Sequence, residues 1–295
     1  MKKIIVWLAV MMYTLSGYAQ DANFHIYLCL GQSNMEGNAK VEEQDTVAVD
    51  SRFQVLAAVD CPNLGRTKGN WYKAVPPLAR CYTGLTPGDY FGRAMVANLP
   101  SNVQVGIINV AVGGCKIELF DKDNYQSYVE TSPDWLKNMV KEYGGNPYAR
   151  LVEMAKLAQK DGVIKGILLH QGESNTNDKD WPSKVKGEYD NLLKDLGLSA
   201  ADVPLLAGEV VHADQNGICA SMNTIIDSLP QVIPTAHVIS SAGCPAAFDN
   251  LHFTAEGYRM LGARYAAKML SILGYGDWTS AQNMKLWYNR PAQDW

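Results

Sequence analysis

Four short polar blocks carry side chains that can do chemistry together. The first, Gly31-Gln32-Ser33-Asn34-Met35-Glu36-Gly37, follows an apolar run, so a serine stands where a buried strand gives way to a turn. There it can present its hydroxyl and its backbone N–H to one space, which suits a nucleophile whose amide also steadies an oxyanion. A serine that only caps the next turn has the same signature. The second block, Ala111-Val112-Gly113-Gly114, lets a backbone N–H approach a ligand closely, or simply makes a tight turn. The third, His170-Gln171-Gly172-Glu173-Ser174-Asn175, offers a carboxamide donor in Gln171 and a carboxylate in Glu173. Its plain readings are a satisfied core histidine and a loop-bridging acid. The fourth, Asp249-Asn250-Leu251-His252-Phe253-Thr254, sets a carboxylate three residues before an imidazole. In a turn, that spacing lets the acid hold one ring nitrogen while the other faces a nucleophile, although a capping Asp beside a surface His looks the same.

The elements between these blocks must bring them together. Apolar runs at Phe24–Leu30, Val103–Val112, Val163–Leu169, Val203–Val211 and Ala236–Ser241 read as strands buried on both faces. Helix-like stretches separate them: Asp89–Leu99, Pro147–Lys160 with Pro in a tolerated first-turn position, Pro182–Leu196, Ser221–Leu229 and Thr254–Leu273. This alternation predicts an α/β fold, a three-layer α/β/α sandwich around a doubly wound, mainly parallel five-stranded sheet. Ligands in such sheets gather at the carboxyl ends of the strands, where three of the blocks fall. Residues 38–86 are rich in Gly, Pro and short polar clusters, and read as a long loop excursion that forms one wall of the site within a single domain spanning 21–295.

Composition narrows the partners. A net charge of −4 over 295 residues provides no basic surface for nucleic acid and easily accommodates a neutral substrate. Lys2 and Lys3, the apolar stretch Ile4–Leu15, and Ser16-Gly17-Tyr18-Ala19 have the pattern of a cleavable signal peptide over 1–20, too short to span a bilayer. The expected location is therefore secreted or periplasmic, with no membrane span in the mature chain. Six cysteines would enter an oxidising compartment. Cys29 reads as a buried small hydrophobe, whereas Cys61 with Cys81 and Cys219 with Cys244 lie where bridging is sterically easier. No cysteine or histidine cluster has zinc spacing, and neither a metal nor an organic cofactor is expected.

The order of the four blocks, each at a strand end or before the last helix, resembles the SGNH (GDSL-like) hydrolase superfamily. The wording GQSNMEG, VGG, HQGES and DNLHFT is similar to the acetylxylan esterases of carbohydrate esterase family six and the related sialate O-acetylesterases, as is Gly84-Leu85-Thr86-Pro87-Gly88-Asp89-Tyr90-Phe91-Gly92. The resemblance covers Phe24 to Leu273. It implies Ser33 as nucleophile, His252 as general base, and Asp249 as orienting acid, with Glu173 acting instead of Asp249 or beside it. It also implies an oxyanion hole from the Ser33 N–H, the Gly114 N–H and the Gln171 side chain. Gln171 stands where the wider superfamily has Asn. Asn34 and Trp181 are the expected substrate contacts, with Trp71, Tyr72, Tyr82 and Trp287 as further aromatics able to stack on sugar rings.

The expected activity is removal of acetyl groups from a glycan, acetylated xylan foremost, with acetylated sialic acid as the alternative. A carbohydrate-binding protein with a dead site is the alternative of another class, although Ser33, Asp249 and His252 together argue against it. A lipase would need an apolar lid stretch, and no such stretch is present.

Overall fold

A computed structural model describes residues 20–276. Except for Gln20, the leader expected over 1–20 lies outside the described residues, as do the tail aromatics Trp278, Trp287, Tyr288 and Trp295. The sheet is built on β1 (Asp21–Gly31), with β4 (Gln104–Ala111) on one side and β5 (Gly162–His170) on the other. β2 (Phe53–Leu56) and β3 (Trp71–Lys73) extend the β4 side, and β6 (Leu205–Gly208) and β7 (Ala236–Ile239) extend the β5 side. The order is β3-β2-β4-β1-β5-β6-β7, parallel throughout except for the antiparallel edge strand β3.

Period-two alternation along the central strands feeds two cores. Ile26, Leu28 and Leu30 enter one core with the helices Pro147–Ala158 and Trp181–Leu196, while Tyr27 and Cys29 enter the other with Pro87–Asn98 and Ala255–Ile272. A strand covered on both sides has no polar face to reveal it, hence its unbroken apolar sequence. The register then positions the site. Gly31 is paired with both Ala111 and His170, so β1, β4 and β5 end level and release their three following loops at one rim.

The expected three-layer sandwich is present with seven strands in place of five. β2 and β3 come from the 38–86 excursion, where runs of four and three residues among glycines and prolines are too short to establish a period. Two further expectations need correction. Only Leu205–Gly208 of the run Val203–Val211 is strand, because the Val210 N–H leaves the ladder for Asn223 Oδ1 at 2.9 Å. The helix expected over Ser221–Leu229 is broken into short turns at Ala220–Met222, Asn223–Ile226 and Leu229–Val232, the last opening with Pro230 near its start, which cannot continue a preceding helix. Cys61 and Cys81 are bridged. Cys219 and Cys244 are free thiols that pack against the cores on opposite faces of the sheet, so the second pairing is excluded.

Candidate active site

Ser33 opens a single helical turn, Ser33–Glu36, immediately beyond β1. The chain turns there through Gly31 at φ +145°, where a Cβ would lie 2.0 Å from the His170 carbonyl oxygen, so only glycine lets β1 end against β5. Across the rim, Thr254 caps the last helix by accepting from the Gly257 N–H, and the turn before it carries His252. His252 Nε2 is 2.8 Å from Ser33 Oγ, and its Nδ1 is 2.7 Å from Asp249 Oδ2. The other Asp249 oxygen accepts the N–H groups of Leu251 and His252, each at 3.0 Å. A carboxylate can only accept, so Nδ1 carries the proton and Nε2 is left to accept from the serine. Burial works to raise the Asp249 pKa, but the hydrogen bonds from the His252 backbone and ring and from the Leu251 N–H outweigh it and hold the carboxyl below its usual range. A hydroxyl, an imidazole and an ionised carboxylate in line can move a proton off the hydroxyl and stabilise the resulting imidazolium.

These groups open onto a cavity of about 340 Å³ whose walls include Gly113, Gly114, Trp135, Met139 and Glu173. Among the described residues, the N–H groups of Ser33 and Gly114 have no acceptor, whereas the Gly113 N–H is taken by Glu36 Oε1 at 3.1 Å. Gly114 has φ +71°, and a Cβ there would strike the Trp135 ring. Two free backbone donors beside a nucleophile are what an oxyanion needs, and Ser33 is buried, where an N–H without an acceptor is costly.

Four expected site residues have different surroundings from those the sequence suggests. The Gln171 amide nitrogen faces Gln32 Oε1, Cys115 O and Asn175 Oδ1 at 3.1, 3.3 and 2.7 Å, and its oxygen accepts from Trp181 Nε1. Both of its N–H bonds are spent inside, so it cannot be a third oxyanion donor; it laces the loops together. Trp181 is fully buried by that bond and offers no face to a sugar. Asn34 is also fully buried: Nδ2 donates to Glu173 and to Leu251 O at 3.1 Å, and Oδ1 accepts from Tyr258 Oη at 2.6 Å. It cannot contact substrate. Glu173 lines the cavity but does not touch His252; its Oε1 accepts from Asn34 and lies 3.6 Å from His170 Nδ1. Asp249 therefore holds the ring. His170 is a core residue whose Nε2 donates to Glu209 O at 2.9 Å, and burial lowers its pKa more than the Glu173 charge raises it.

Of the other aromatics, Trp71 stacks near Phe24 and donates to Asp161, and the Tyr72 hydroxyl accepts the Thr67 N–H. Only Tyr82 stands clear of packing, while Trp287 lies outside the described residues.

Sequence reasoning also missed functional surroundings. Glu36, inside the first block, joins the Gly113 N–H to Arg80 Nη2, the latter at 2.5 Å, and thereby ties the glycine turn to the excursion. Its place three residues beyond Ser33 was the available signal. Trp135, on the helix Asp134–Glu142, had none, since that helix is short and mostly exposed. Among the described residues no cluster of His, Cys, Asp or Glu is arranged to hold a metal ion.

The chain is similar to several known proteins. The family model described as "Carbohydrate esterase, sialic acid-specific acetylesterase" matches residues 23–271. A protein of Arabidopsis thaliana described as a "probable carbohydrate esterase" is 26% identical over 262 residues, covering 83% of this chain and 90% of its own length. Among solved structures, NanS superposes with a TM-score of 0.60 at 15% identity, covering 87% of this chain and 99% of its own. A carbohydrate acetylesterase from Xanthomonas citri superposes with a TM-score of 0.57 at 18% identity, covering 84% of this chain and 56% of its own. At those identities the two structures speak for the fold alone. The match over 23–271 establishes the family, and the chain belongs to the sialic acid-specific acetylesterase family of carbohydrate esterases.

Proposed function

We propose that the protein is an exported serine O-acetylesterase that removes acetyl groups from a glycan, with acetylated xylan as the favoured substrate. The observation that carries this reading is the continuous line Ser33 Oγ, His252 Nε2, His252 Nδ1, Asp249 Oδ2, with contacts of 2.8 and 2.7 Å at the edge of an open cavity. His252 takes the Ser33 proton as Oγ attacks the acetyl carbonyl, and the oxyanion settles on the N–H groups of Ser33 and Gly114. The carbonyl re-forms as the sugar oxygen leaves with the proton held by His252. Water then attacks the acetyl-serine, gives its proton to His252, and acetate departs as Ser33 recovers its hydrogen.

Ser33→Ala is the direct test. It should lower acetate release on the order of 10⁶-fold with an unchanged circular dichroism spectrum. Release within tenfold of the parent protein would end the assignment. Acetylated sialic acid is the second substrate reading, favoured by the description of the family itself. A side-by-side assay on acetylated xylan and O-acetylated sialic acid ranks the two. Export rests on the Lys2–Ala19 pattern and is consistent with the Cys61–Cys81 bridge. Amino-terminal sequencing of mature protein should begin just after Ala19 or Gln20.

A further inference from the structure

Beside the pocket over Ser33 runs a larger groove of about 690 Å³, within the usual range for small-molecule sites of about 300–1,000 Å³. The two share Glu36 and Asn38, so a ligand that leaves the Ser33 pocket past Asn38 enters the groove directly. On its wall stands Tyr82, which is 88% exposed. A single exposed aromatic is ordinary on a protein surface. Here, however, the backbone on both sides of it is anchored. Arg80 is paired with Glu36 and Glu142, Cys81 is bridged to Cys61, and the N–H groups of Gly84 and Leu85 donate to Gly37 O and Ala39 O, each at 2.7 Å. The backbone that carries the ring is thus held in place, and the ring offers water an apolar face suited to the C–H face of a sugar.

The polar groups fit a neutral ligand. The Arg80 guanidinium is spent on two carboxylates, so the groove offers no free guanidinium fork for an anionic group. Glu36 and Glu142 balance Arg80 and Lys40 in formal charge. The exposed Asn38 and Lys40 side chains have no hydrogen bond or ion pair among the described residues and are available to hydroxyl groups. We propose that this groove is a second sugar subsite, which seats a neutral ring adjoining the acetylated residue on the face of Tyr82. The proposal rests on the esterase reading above and extends it from an acetyl group to a chain.

Tyr82→Ala tests it on p-nitrophenyl acetate, an acetylated xylose and an acetylated xylotriose. The trisaccharide should lose roughly tenfold in kcat/KM, chiefly through KM, while the two smaller substrates stay within twofold. Tyr82→Phe, which keeps the ring face, should restore the parent value. An equal loss on all three substrates, or none on the trisaccharide, would overturn the subsite. A loss on acetylated sialosides as large as that on xylotriose would overturn its neutral preference. If the parent protein hydrolyses p-nitrophenyl acetate through Ser33 yet releases acetate from no saccharide, the glycan reading fails. Calorimetry of unacetylated xylotriose with the Ser33→Ala protein then decides the groove by itself: binding that Tyr82→Ala weakens supports it, and no binding overturns it.

Discussion

Two loops at the rim carry an acid, and the acids have opposite surroundings. Asp249 is about one-third exposed at its side chain, and every partner it has lies within three residues in its own turn. Glu173 is almost completely enclosed, and its main partner, Asn34, lies 139 residues away. Among the described residues, one Glu173 oxygen has no hydrogen-bond partner. Asp249 addresses the ring that moves protons in the proposed mechanism. Glu173 reaches it only through Asn34, whose Nδ2 also holds the Leu251 carbonyl at 3.1 Å, the residue before His252. Glu173 therefore has the place of a positioning residue, which clamps the nucleophile turn to the base loop, while the acid three residues before the base is the one that holds its ring.

The sharpest way to break this comparison is to neutralise each acid in turn. Asp249→Asn should lower kcat about 10⁴-fold on p-nitrophenyl acetate, since an amide no longer fixes the tautomer that leaves Nε2 unprotonated. The same variant has a stability signature. The Asp249 carboxyl is held below its ordinary value of 3.8, so its contribution is complete above that pH and drains away as the pH falls through the lower folded-state value. The stability difference between parent and Asp249→Asn should accordingly shrink toward zero as the pH falls through that lower value. Glu173→Ala should cost less in rate, on the order of 10²-fold, because it loosens the placement of Ser33 and His252 without altering the proton path. It should also cost about 1–3 kcal/mol of stability, by leaving Asn34 a buried donor short of an acceptor. Urea melts beside the kinetics distinguish the two variants. A 10⁴-fold loss in Glu173→Ala, with Asp249→Asn near the parent rate, would exchange their roles.

The same contrast explains what the sequence makes legible. Central strands appear because burial on both faces imposes unbroken apolar runs, and Asp249 with His252 appears because a turn holds them three residues apart. The Cys61–Cys81 bridge also joins nearby segments. What stayed hidden depends on distant pairing. Asn34 and Gln171 read as substrate-facing polar residues, yet Glu173, Tyr258, Gln32 and Asn175 satisfy them from other parts of the chain. Trp181 reads as an aromatic platform beside the third block, but its indole N–H finds Gln171 and turns the ring inward. β2 and β3 are strands only because β4 offers an edge, which no window of four residues can reveal.

A third carboxylate separates burial from partnership. Glu188, on the helix Trp181–Leu196, is as buried as Glu173, but among the described residues one of its oxygens has no partner and no base is hydrogen-bonded to it. Burial, reinforced by repulsion from Asp121 and Asp123, pushes its pKa up from 4.5 to about 8. Between those values the folded protein keeps a proton that the unfolded chain gives up, so folding stability falls as pH rises through this window. Glu188→Gln retains the shape of the protonated acid. It should change nothing below about pH 4.5 and give a gain that grows toward pH 8, by at most about 1.4 kcal/mol for each step of one in pH, with a rise of a few degrees in Tm and kcat unaltered. Thermal melts at pH 4, 6 and 8 measure this. A difference that does not vary with pH would mean that Glu188 is already ionised in the fold, and that enclosure without a partner is not what sets the behaviour of acids in this protein.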